Sequence, residues 1–148
     1  MRISTRGVYA LEAMLALGSQ PAGERVSIRQ ISEQTGLSDS YLEQIFALLK
    51  RGGLLISLRG NRGGYHLARP STAITVGDIV RAAEGSLNPV SCTDPATPGC
   101  DRFKDCLSRP VWNLMEQEIA DFVDQITLFD LHRQFAAWEQ DSQMEFFI

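Results

Sequence analysis

The chain has no long hydrophobic run and only two histidines, and each scarcity closes off a class of function. Its 148 residues contain no apolar stretch approaching the roughly 18 to 20 residues that a membrane-spanning helix needs, and the best candidate, VYALEAMLALG, carries Glu12 at helical spacing. No secretory signal pattern follows the opening MRISTR, so a cytoplasmic location with no membrane partner is the expectation. Only His66 and His132 are present, and neither lies near a cysteine in sequence. A cysteine nucleophile would need a base and an orienting group close by. The thiol neighbourhood supplies acids and arginines instead, so the chain is not expected to be an enzyme. The glycine-rich stretch Gly60-Asn61-Arg62-Gly63-Gly64 lacks the Lys-Ser/Thr pair and the following helix of a nucleotide-phosphate loop.

Against these scarcities stands a concentration. The only cysteines, Cys92, Cys100 and Cys106, all fall in SCTDPATPGCDRFKDCLSRP, a polar segment rich in Pro, Gly and Asp. Packing cysteines scatter over apolar faces, whereas three thiols on such a loop suit a metal or redox sensor. An odd number in a reducing compartment favours that chemistry over structural disulfides. Seven residues separate the first pair and five the second, with no Cys-x-x-Cys, which weakens a structural zinc reading.

Charge is divided as unevenly as the cysteines. The net charge of -4 conceals ten Lys/Arg against six acids over residues 1–81, and four against twelve over residues 82–148. A basic first part beside an acidic second part fits a DNA reader with a separate regulatory or oligomerising part. We therefore divide the chain into a DNA-binding domain at 1–81 and a part at 82–148 holding the cysteine loop, a dimerisation helix and the tail.

Local patterns predict the elements. A first helix spans about Thr5 to Leu17. Ser27 followed by Gln30 forms a capping-box pattern for a second helix, which Gly36 stops. Ser38 is the N-cap of a third, whose Leu42, Ile45, Phe46 and Leu49 recur at the spacing of a buried face. Two helices joined through Thr35-Gly36-Leu37-Ser38 make a helix-turn-helix. Strands at Leu54–Arg59 and Tyr65–Ala68 flank the basic, glycine-rich tip and form a wing. Thr75 with Asp78 opens another helix. Pro110 begins a long amphipathic one through Val111, Leu114, Met115, Phe122 and Ile126, whose apolar stripe is too long for so small a chain to cover alone. The fold class is thus mainly α with a small β-hairpin wing: a winged helix-turn-helix domain plus a long helix for pairing with a second copy. The apolar Met144-Glu145-Phe146-Phe147-Ile148 end should dock somewhere.

Ser38, Ser40 and Tyr41 stand at the start of the third helix, where hydroxyls and helix N–H groups can meet phosphates or base edges. Glu43, one turn on, can accept from a cytosine amino group, and Gln44 offers both donor and acceptor. Arg59 and Arg62 flank the wing tip beside Gly60, where a narrow A·T-rich minor groove favours a guanidinium.

Ser38-Asp39-Ser40-Tyr41-Leu42-Glu43-Gln44 followed by Arg59-Gly60-Asn61-Arg62-Gly63-Gly64-Tyr65 resembles the paired signature of the IscR/NsrR/CymR family of winged helix-turn-helix transcriptional regulators. The similarity takes in Met1–Thr5, Ile74–Ile79 and the Trp112 helix as well. The resemblance implies a homodimer on double-stranded operator DNA, with the Ser38 helix in the major groove and the hairpin in the minor groove. It also implies an iron-sulfur cluster, 2Fe-2S in preference to 4Fe-4S, on Cys92, Cys100 and Cys106. Such clusters normally take four protein ligands. IscR-like relatives supply a His three residues after the last cysteine, where this chain has Arg109. NsrR-like relatives supply an Asp from the partner's first helix, where this chain has Val8. Glu12, one helical turn after Val8, is the substitute on that face, with Asp101, Asp105, Ser108 or an exogenous molecule as rivals. The apolar tail resembles the CymR side of the family, which leaves open a regulator controlled by thiol oxidation or by a partner protein. A protein-interaction module that binds no DNA is the remaining alternative.

Overall fold

The computed structural model describes residues 2–97 and 99–145, so the Phe146-Phe147-Ile148 end lies outside the described residues. Helix α1 spans Thr5–Gly18, α2 Ile28–Thr35 and α3 Asp39–Arg51; strands β1 at Leu55–Leu58 and β2 at Gly64–Leu67 follow. Helices α4 (Val76–Glu84), α5 (Arg109–Gln125) and α6 (Leu128–Glu145) complete the chain, with short 3-10 turns at Ser71–Ala73 and Ser91–Thr93.

The expected caps form. Ser27 Oγ accepts from the Gln30 amide at 3.2 Å while Gln30 Oε1 accepts from the Ser27 amide at 2.8 Å. Thr75 and Asp78 exchange the same pair at 3.0 and 3.1 Å. Each box satisfies two amides that the first turn of a helix leaves without partners. Helix α2 ends at Gly36, and the turn is closed by Ser32 Oγ donating to the Leu37 carbonyl at 2.6 Å.

The core lies where α1, α2, α3 and α4 meet. Ala10 and Ala13 are fully buried and let α1 lie close to its neighbours, with Met14, Ile31, Leu42, Phe46, Leu49 and Ile79 filling the space between them. Phe46 meets the Tyr65 ring edge-on at 4.8 Å, which ties the wing's second strand to α3. The wing pairs antiparallel, with Leu55 opposite Leu67 and Leu58 opposite Gly64.

Residues 109–145 form two helices where the sequence pattern suggested one and a tail. Helix α5 stops before Ile126, and Thr127 Oγ1 accepts from the Asp130 amide at 3.1 Å while Asp130 Oδ2 accepts from the Thr127 amide at 3.0 Å. This third capping box starts α6, and Thr127-x-x-Asp130 was its overlooked signature. The joint is held against the segment before α4: the Val76 amide donates to the Ile126 carbonyl and the Leu128 amide to the Ile74 carbonyl, both at 2.8 Å. Leu128 is fully buried in the same core as α1. Full burial of such a side chain contributes about 1.5 to 3 kcal/mol, enough to seat α6. His132 adds a bond from Nε2 to the Leu15 carbonyl at 2.8 Å, as a packing residue.

Candidate nucleic-acid interface and cysteine loop

Helix α3 presents two faces. Leu42, Ile45, Phe46 and Leu49 are buried, and Ser40, Glu43 and Gln44 are exposed at positions i, i+3 and i+4. Ser38 caps the helix, its Oγ accepting from the Tyr41 amide at 3.3 Å. Its hydroxyl hydrogen is therefore free to be donated outward. Tyr41 is half-buried and meets Tyr9 edge-on at 5.9 Å, so its ring also braces α3 on α1.

The wing tip carries Arg59, Gly60 and Arg62, all exposed. Gly60 has φ 109, a conformation that a residue with a side chain rarely adopts, and its carbonyl accepts from the Gly63 amide at 2.8 Å. Lys50 Nζ at the end of α3 donates to Ser57 Oγ on β1 at 2.6 Å. This bond, with the Phe46–Tyr65 contact, links α3 to both strands of the hairpin that carries the basic tip. The DNA-facing candidates chosen from the sequence are thus exposed together, Tyr41 only in part.

The three cysteines are free thiols. Cys92 is half-buried in the 3-10 turn, which packs against α5; Cys100 is exposed and Cys106 is half-buried. Cys106 Sγ lies 3.3 Å from Ser108 Oγ, and Trp112 Nε1 donates to that same hydroxyl oxygen at 3.1 Å. The Cys106 thiol is held below its ordinary range, first by the hydrogen bond from the Ser108 hydroxyl, then by the Ser108 amide, with the Arg109 amide and the Arg102 charge adding to it. Arg109 stands where IscR-like relatives have a ligand, and it serves the loop otherwise: Nη1 donates to the Phe103 carbonyl at 2.7 Å and the guanidinium lies 4.2 Å from the Phe103 ring centre.

Soft thiolates suit iron, and the depressed Cys106 thiol suits ligation. Among the described residues of a single chain, however, no three His, Cys, Asp or Glu side chains converge to hold a metal ion. Glu12 is exposed on α1 and Val8 is 45% exposed beside it.

A helix-turn-helix with a basic β-wing defines a DNA-binding transcription regulator. The Rrf2 family, described as iron-dependent transcriptional regulators, matches residues 3–134, and the chain belongs to that family. It is 37% identical to the HTH-type transcriptional regulator IscR of Erwinia tasmaniensis over 131 residues, covering 88% of this chain and 78% of the relative. Among solved structures it resembles CymR, the global cysteine regulator of B. subtilis, at 33% identity and a TM-score of 0.73, over 90% of this chain and 98% of that one. IscR of T. potens matches at 37% identity and a TM-score of 0.71, over 90% and 88% of the two chains. No helix among the described residues is long and apolar enough to cross a membrane.

Proposed function

We propose that the chain acts as a homodimer that binds operator DNA and senses iron-sulfur cluster status through its cysteine loop. Residues 1–81 read the DNA. Ser38, Ser40, Tyr41, Glu43 and Gln44 face the major groove, and Arg59, Gly60 and Arg62 enter the flanking minor groove. Residues 82–148 pair the subunits and carry the sensor. The observation that carries the DNA reading is the shared exposure of the α3 polar face and the wing, braced by Lys50 and Ser57.

Pairing is supported by α5, where Val111, Leu114 and Phe122 are 54%, 58% and 67% exposed. Apolar side chains in such a row are usually covered by a partner. Cys92, Cys100 and Cys106 would hold the cluster, 2Fe-2S in preference to 4Fe-4S, with Glu12 of the second subunit as fourth ligand. Within one chain the described residues bring no three such side chains together, so this reading also requires the cysteine loop to close around the cluster. A cluster bound there supplies redox and ligand-exchange chemistry. The chain's own residues would position it, through the Ser108 bond to Cys106 and the Arg109 clasp on the loop. Coupling follows if ordering the loop favours one presentation of the paired recognition helices.

The three free, partly exposed thiols support a second reading, in which thiol oxidation or a partner protein controls operator binding without a cluster. Anaerobic isolation followed by native mass spectrometry with iron and sulfide analysis tests the two. A dimer with about two irons and two sulfides per subunit is expected. A metal-free dimer that still shifts operator DNA would replace the cluster reading by the thiol one.

A further inference from the structure

We propose that Arg25 is a positioning residue for the wing tip and thereby sets how strongly the protein discriminates the base pairs flanking its half-sites. The inference rests on the reading of the wing as a minor-groove element. The tip, Arg59 to Gly63, is rich in glycine, and Gly60 already occupies a backbone region open to few residues. Such a segment loses much conformational freedom when it is ordered on DNA. Within the hairpin, the tip turn is closed by the Gly63 amide on the Gly60 carbonyl at 2.8 Å. From outside the hairpin, Arg25 Nη1 donates to the Arg62 carbonyl at 3.1 Å.

The brace has a fixed origin. Arg25 immediately precedes Val26, which is 2% exposed and exchanges two backbone hydrogen bonds with Tyr65 on β2, at 2.9 and 2.8 Å. Arg25 therefore starts from a backbone locked against the wing's second strand and ends on the tip. Lys50 on Ser57, opposite Tyr65 in the strand register, ties the other strand of the wing to the helical domain. A guanidinium has five N–H donors, so the bond to Arg62 leaves others for a phosphate, and the test must separate the two roles.

Phosphate contacts carry no direct sequence information, whereas a tip held in register lets Arg59 and Arg62 read groove width. Operators obtained by in vitro selection would be compared with versions in which A·T pairs under the wing are replaced by G·C. For Arg25→Ala and Arg25→Gln, we expect the affinity ratio between the two duplexes to fall by about three- to tenfold. Discrimination at base pairs under α3 should be unchanged. In the free protein, hydrogen exchange at the Gly63 amide should quicken while the melting temperature holds. An equal loss of affinity for both duplexes would reduce Arg25 to a phosphate contact, and wild-type ratios would remove it altogether; either result overturns the inference. Arg59→Ala is the control for the underlying reading: if it too leaves the ratio intact, the wing does not read the groove and both ideas fall together.

Discussion

Glu84 Oε1 accepts the Gly7 amide at 3.0 Å and the Ser4 amide at 3.2 Å, so the last residue of α4 caps the first turn of α1. The Ser4 hydroxyl donates to the same oxygen. Ser4 occupies the N-cap position yet makes no side-chain cap of its own. A carboxylate at a helix N-terminus also opposes the positive end of the helix dipole.

Removing that cap should cost stability. Glu84→Ala is expected to lower unfolding free energy by about 1 to 2 kcal/mol, the ordinary range for losing a helix cap, and Glu84→Gln by less. Gly7→Ala should act through the same contact, because a Cβ at Gly7 would collide with Glu84 Oε1. Urea titration followed by circular dichroism measures all three, and midpoints equal to wild type would deny the cap any weight.

The Arg81–Asp124 pair makes stability depend on pH in a defined direction. Arg81 Nη1 and Nη2 donate to the two Asp124 oxygens at 2.7 and 2.9 Å, and the bond from Arg81 is the main reason that carboxyl sits below its ordinary range. A carboxyl whose folded pKa lies below its unfolded value stabilises above the unfolded value, near pH 4, and loses that contribution as pH falls through the folded one. The Asp124 side chain is 44% exposed, so the effect should be about 0.5 kcal/mol. Thermal melts of wild type and Asp124→Asn should differ at pH 6 and converge near pH 2; a difference that persists in acid would point to packing.

Arg59 gives the plainest test of the wing. Arg59→Ala should weaken operator binding and reduce the slope of log affinity against log salt by about one. Gel shifts over a salt series would remove the wing from the interface if neither quantity moved.

Glu12 tests the sensor. If Glu12 completes the proposed cluster, Glu12→Ala should leave operator affinity in the cluster-free state intact and hasten cluster loss by about tenfold or more, at least the effect of losing an outer-shell partner. Anaerobic visible absorption after addition of a chelator follows the decay. Decay at the wild-type rate would pass the fourth position to Asp101, Asp105, Ser108 or an exogenous molecule.

Much of the helix-turn-helix and its wing was legible in the residues because their determinants are local. A capping box spans three residues, as with Ser27 and Gln30, and the buried face of α3 follows from the spacing of Leu42, Ile45, Phe46 and Leu49. The same rule finds α6 from Thr127 and Asp130, but the apolar stripe of α5 runs unbroken to Ile126, directly before that start signal, and masks it.

What the sequence determined by itself was the helix-turn-helix, the wing and the concentration of thiols, since each is written in neighbours along the chain. Tertiary structure alone decided that Glu84 caps α1 from 77 and 80 positions away, that Leu128 closes the core, and that Arg25 reaches the wing tip. Such contacts depend on how whole helices pack, and spacing along the chain carries no trace of them. The cysteines mark the boundary between the two. Their nearness in sequence singles out one loop, but three thiols in one segment do not make a metal site, and among the described residues no three candidate ligands converge. Coordination requires groups at fixed distances in space, and that condition is set by folding rather than by spacing along the chain.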